Sequence, residues 1–149
     1  MTASTELLIG ELDGPHVIVR PLARRQPGLF DHRDANLIDC ECRLQAGAFH
    51  GEIRADLRSN ELSAFLDELR ALSHSADGLA TLSPEEGRLA LTLRRDGRGR
   101  VRVSGEVVDD ADGNRLLFRF DVDPASLTAT CESLERALAV FPVVAAPDM

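Results

Sequence analysis

His50 and Glu52, one residue apart, have the spacing with which zinc deaminases set a metal ligand beside a proton shuttle. That chemistry also needs a downstream Pro-Cys-x-x-Cys to complete the metal site, and the chain has none. On a strand the two side chains share the face opposite Phe49 and Ile53, which makes them a solvated polar pair. Cys40 and Cys42 point to one side of a strand and Cys131 lies on the apolar face of a helix, so three thiolates are on offer to a metal. Structural zinc takes four ligands, no histidine is placed as the fourth, and unliganded cysteine behaves as a small apolar residue. The cysteines therefore read as reduced core thiols, with no metal or other cofactor expected.

Asp31-His32-Arg33-Asp34 places an imidazole between carboxylates, a grouping that does acid/base work only beside a nucleophile. No such nucleophile is identifiable, and a hydrated loop is the simpler account. The run Asp109 to Asn114 lacks the glycine position and closing glutamate of a calcium loop. Asp96-Gly97-Arg98-Gly99-Arg100 lacks the lysine and the strand-to-helix setting of a phosphate loop. Both read as hairpin turns, where Asp-Gly supplies positive φ. No catalytic residue is assigned.

Charge narrows the partners. The chain carries 17 basic residues, all arginine, against 25 acidic ones, a net of −8. A phosphate-binding surface wants a basic patch, and Arg24-Arg25 and Arg98-Gly99-Arg100 are too small to make one without aromatic neighbours. Nucleic acid is an unfavoured partner, a basic protein a better one. No apolar run reaches the ~18 residues that span a bilayer, and the first residues do not form a secretory leader. A cytoplasmic protein is expected.

The elements that must position these residues follow from periodicity. Residues 7–12 and 16–20 flank Asp13-Gly14-Pro15 as two strands about a turn, and Pro21 to Asp34 reads as a surface loop. Ile38, Cys40, Cys42, Leu44 and Ala46 alternate with polar neighbours, as do Phe49, Gly51, Ile53, Ala55 and Leu57 after Gly47, the pattern of a half-buried hairpin. Leu62, Phe65, Leu66, Leu69 and Leu72 recur at helical spacing over about 60–75, behind Ser59 or Asn60 as a cap. Strands follow near 79–82, 89–93, 101–107 and 116–122. Asp123 and Pro124 then open a second helix over about 124–140, striped by Leu127, Cys131, Leu134, Leu138 and Phe141. The expected fold class is α+β: an antiparallel sheet of about six to eight strands in hairpins and a meander, with two amphipathic helices. One domain spans 1–149 with a frayed tail at 142–149. Residues 56–69 and 121–134 also echo each other without gaps, as any strand leading into an amphipathic helix tends to.

Over residues 36–141 the pattern Phe49-x-Gly51, Glu61-Leu62 with Phe65-Leu66 and Leu69, Gly78-x-Ala80, Gly99-x-Val101-x-Val103, and Phe118-x-Phe120 leading through Asp123 to Leu127 resembles the Wap-type immunity proteins. The resemblance implies a non-catalytic binding module that neutralises a cognate polymorphic toxin inside the producing cell. Clustered carboxylates would then steer association with a basic toxin domain. The candidate partner-binding residues are Asp109, Asp110 and Asp112 at a hairpin tip and Glu85 and Glu86 in a loop. A self-associating structural domain is the alternative, and a homo-oligomer is compatible with either. A metal protein or enzyme built on His32, His50 and the cysteines comes last.

Overall fold

A computed structural model describes residues 5–24, 35–110 and 113–144. Strands β1 (Leu7–Gly10), β2 (His16–Arg24), β3 (Leu37–Ala46) and β4 (Phe49–Arg58) form an antiparallel meander in chain order, and helix α1 (Ser59–Ser73) follows. The plan then repeats: β5 (Asp77–Leu82), β6 (Leu89–Asp96), β7 (Val101–Val108) and β8 (Arg115–Val122) form a second meander in chain order, followed by α2 (Ser126–Val140). The α+β class, the antiparallel strands and both helices are as the sequence predicts, but the strands divide between two sheets.

Alternation sets which face of each sheet is buried. Ile38, Cys40, Cys42 and Leu44 of β3 and Leu91 and Leu93 of β6 are nearly inaccessible and belong to one continuous apolar cluster that also takes in both helices. Two expectations fail at the sheet margins. Phe49, which alternation puts with the core, is 63% exposed, because β4 is an edge strand and its first residues overhang the cluster. Pro21 and Ala23 are not loop: β2 continues to Arg24 opposite Ile38, with its register broken between Pro21 and Ala23. A proline removes one ladder donor, and a local irregularity accommodates it.

Both helices are held by burial of their stripes. Leu62, Phe65, Leu66, Leu69 and Leu72 of α1 are all buried, and at roughly 2 kcal/mol each their transfer from water outweighs any surface pairing. The caps differ from expectation. Neither Ser59 nor Asn60 caps α1; the chain leaves β4 directly into the helix, and the Arg58 N–H is accepted by Glu61 Oε1 at 2.8 Å. Ser59 is instead buried, its N–H donated to the Asn36 carbonyl at 2.9 Å. At the second helix, Asp123 Oδ1 accepts the Ala125 N–H at 3.0 Å. Asp123 thus closes a turn ahead of a helix that begins at Ser126. Of the two Asp-Gly turns, Gly97 has the expected positive φ of 82°, while Gly113 lies outside the left-handed region. The second turn is closed by a side chain instead, as described below.

The two halves are interlocked. α1 packs on β5 of the second sheet, α2 on β1 of the first, and the helices pack on each other. Thr130 Oγ of α2 donates to the Leu8 carbonyl at 2.9 Å, and Ser133 Oγ accepts the Leu8 N–H at 3.1 Å. On α1, Glu68 Oε1 accepts the Thr81 N–H at 2.7 Å. Each helix therefore satisfies open backbone groups on an edge strand of the other sheet. Where the helices meet, Arg70 pairs with Glu135.

Candidate partner-binding groove

β4 and β8 are the other two edge strands, and both line two concavities. The first, of about 550 Å³, is polar: Arg54, Ala55 and Asp56 of β4 face Val108, Asp110 and Arg115, with Asp39 beneath and the Glu86–Arg88 segment closing one end. The second, of about 500 Å³, is more apolar, with Phe49 and Ala46 facing Gly105, Leu116, Leu117 and Phe118. Along β4 the order is Phe49 then Arg54 to Asp56, and along β8 it is Leu117 to Arg119 then back to Arg115. The two concavities are thus successive stretches beside the same pair of strands.

The sequence-predicted acids fall into three situations. Glu86 and Asp110, from separate predicted clusters, both line the polar concavity, where Asp39 and Asp56 add two carboxylates that no sequence cluster had marked. Asp109 turns into its own hairpin: Oδ1 accepts the Asn114 N–H at 2.8 Å and Oδ2 accepts its side-chain amide at 3.1 Å. These bonds, the amide first, hold the Asp109 carboxyl below its usual range. Glu85 and Glu86 flank a buried cation, the Arg58 guanidinium, at 3.6 and 3.2 Å, and the Glu85 N–H donates to Glu61 Oε2 at 2.8 Å. The 85–86 loop is therefore stapled to the start of α1. Asp112 lies outside the described residues, as do Arg25, His32 and the rest of the Asp31–Asp34 cluster.

The side chains considered for chemistry do not converge. His50 is exposed on the outer face of β4, and Glu52 pairs with Arg43 at 3.3 Å. Cys40, Cys42 and Cys131 are buried free thiols. Burial raises all three, Cys42 to about 12, so they are held protonated and weakly nucleophilic. Among the described residues no three His, Cys, Asp or Glu side chains gather as a metal site, and no helix is long and apolar enough to cross a membrane.

What sequence reasoning missed is how much arginine the groove and its rim hold. Arg54 and Arg88 stand among the acids of the polar concavity. Arg94, Arg98, Arg100 and Arg102 gather around Asp96 and Asp121 at the far end of the second sheet. Register was the available signal, since Arg94 pairs across from Arg102 and Ser104 from Arg119, but it requires the strand pairing to be known.

Two antiparallel meanders, each followed by a helix that closes the other's edge, with a charged and apolar groove between the uncovered strands, define the architecture. The chain belongs to the WapI-like immunity protein family, whose model matches residues 7–142. The match takes in β1 and β2, which the sequence resemblance over 36–141 left out. No curated protein matches the chain. Among solved structures it is similar to the plant transcriptional regulator PBF-2, at 14% identity over 96% of this chain and 83% of that one, with a TM-score of 0.47. It is also similar to a chain of the CdiA-CT/CdiI toxin and immunity complex from Enterobacter cloacae, at 14% identity over 89% of this chain and 98% of that one, with a TM-score of 0.41. At those scores neither likeness bears on function.

Proposed function

We propose that this protein is a non-catalytic inhibitor that binds a cognate toxin domain in the cytoplasm of the producing cell. The observation that carries the reading is membership of an immunity protein family along nearly the whole chain. The groove supports it physically. A binding surface needs a desolvatable apolar centre with charged groups around it, and Phe49 and Leu117, 63% and 75% exposed, supply the first beside Asp39, Asp56, Glu86 and Asp110. Those carboxylates, with Glu85 beside Glu86, suit the basic surface of a nuclease-like toxin and would speed its capture at low salt.

The test starts from the neighbouring genes. The C-terminal domain of a large secreted protein encoded next to this chain is expressed with and without it. Rescue of growth and a complex that survives gel filtration are the expected results. Asp110→Lys is expected to lower the association rate several-fold at low salt and to weaken its salt dependence. Full toxicity in the presence of the folded protein, with no complex formed, would remove the reading.

A further inference from the structure

We propose that the outer edge of β8 takes up an extended segment of a partner protein in antiparallel register, an apolar side chain seated against Leu117 and Phe49 and a carboxylate facing Arg119. This rests on the chain being a binding protein, but not on what its partner does.

Three observations converge on that edge. The first is selective protection. Of the four edge strands, β1 and β5 have backbone groups taken up by Thr130, Ser133 and Glu68. β8 pairs only with β7, and among the described residues it makes no backbone hydrogen bond outside that ladder. An uncovered edge is a template for strand addition. The second is the apolar pocket beside it, where Leu117 is 75% exposed and Phe49 63%. The Phe118 ring forms the floor over Gly105, where a Cβ would lie 2.4 Å from Cζ.

The third is charge, which selects the occupant. The whole chain is strongly acidic, yet the outer face of β7 and β8 carries Arg102, Arg115 and Arg119 against only Glu106 and Asp121. Those two are already paired with Arg115 and Arg102. Among the described residues Arg119 is left without an ion pair, and an added strand with a carboxylate opposite it completes this face. A second copy of the chain does not: the antiparallel register that stacks Leu117 on its own copy sets Arg115 against the copy's Arg119, opposing like charges.

The test uses the intact protein and two synthetic peptides, acetyl-Thr-Glu-Thr-Val-Thr-Thr-Thr-amide and its counterpart with arginine for glutamate, titrated to millimolar concentration by NMR. Shifts confined to 115–122 and the Phe49 region are expected, with the glutamate peptide binding about tenfold more tightly and that preference lost at 1 M salt. Leu117→Lys, at an exposed position, is expected to abolish binding without altering the fold. No shifts, equal affinity of the two peptides, or shifts centred elsewhere would overturn the proposal. So would a dimer in sedimentation that Leu117→Lys converts to monomer, since the second copy would then be the occupant. Peptide binding in a protein that gives no protection against the neighbouring toxin would keep the edge site and discard the immunity reading.

Discussion

Glu68 and Ser133 do the same work from opposite helices: each accepts the N–H of an edge strand in the other sheet, Thr81 and Leu8 respectively. They stand 133 − 68 = 65 positions apart, the separation that also links Arg70 to Glu135 across the helix contact and the two echoing segments of the sequence. The correspondence is one of job as well as of position. Ser133→Ala leaves a half-buried N–H without its acceptor and is expected to cost about 1 kcal/mol in urea unfolding. Glu68→Ala, at an exposed position where water can replace the carboxylate, is expected to cost less than 1 kcal/mol. Hydrogen exchange at Leu8 and at Thr81 reports each lost cap separately.

The Arg58 cluster makes a second prediction. Its side chain is 5% exposed, while Glu85 and Glu86 are 54% and 41% exposed, so the cation has paid more desolvation than its partners. Removing both carboxylates as Glu85→Gln with Glu86→Gln takes two ion pairs from a buried charge and is expected to destabilise by about 3 kcal/mol. Arg58→Met, which leaves only solvated acids behind, is expected to cost about half that. A larger loss in the methionine variant would show that the guanidinium's packing dominates its pairing.

Gly105 sets the floor of the apolar pocket. A methyl there would lie 2.4 Å from Phe118 Cζ and 2.9 Å from the Ala90 carbonyl oxygen. The ring can move and the carbonyl cannot. Gly105→Ala is expected to lower stability by about 1–3 kcal/mol and to displace Phe118 into the pocket, which its ring NMR shifts would register.

The thiols give the protein an alkaline limit. Burial lifts Cys42 from 9.0 to about 12 and pushes Cys40 higher still, with the neighbouring thiol and carboxylates adding to it. A group raised in the folded state favours folding fully below its unfolded value, so stability holds up to pH 9 and falls between 9 and 12 as the unfolded chain alone ionises. The slope is expected to be about 1.4 kcal/mol per pH unit for each thiol. Cys42→Ala should make the loss shallower over that window, and neither thiol should react with a disulfide reagent at pH 8 until the protein unfolds.

Much of this fold is legible in the residue pattern alone. β3 and β4 announce themselves because one face is buried and the other wet, and alternation encodes that directly. Helices α1 and α2 are equally plain, since five large apolar residues on one stripe leave little else for the chain to do. The division into two sheets was not legible, because adjacent hairpins carry the same local signal whichever sheet they join. Phe49 was misplaced for a related reason: alternation names a face, but only the end of the neighbouring sheet decides whether that face is covered. The caps left a fainter trace. Thr130 lies on the same stripe as Leu127, Cys131 and Leu134, and a polar residue on an apolar stripe is there to meet a backbone group. Glu86 and Asp110 were marked as acids, yet their meeting in one concavity depends on a loop folding back onto Arg58 and on β7 ending beside it.

The exchange of helices between sheets also governs the order in which the chain can be completed. Strand β1 emerges from the ribosome first, but the groups that close its edge sit at Thr130 and Ser133, 122 and 125 residues later. Until then β1 is a second open edge of the first meander, of the kind that invites pairing with another chain. The second meander waits for nothing, because Glu68 has been synthesised before β5 exists. Closure of β1 is thus set by α2, and truncations that stop short of Ser133, which also lose part of the shared core, should accumulate as aggregates.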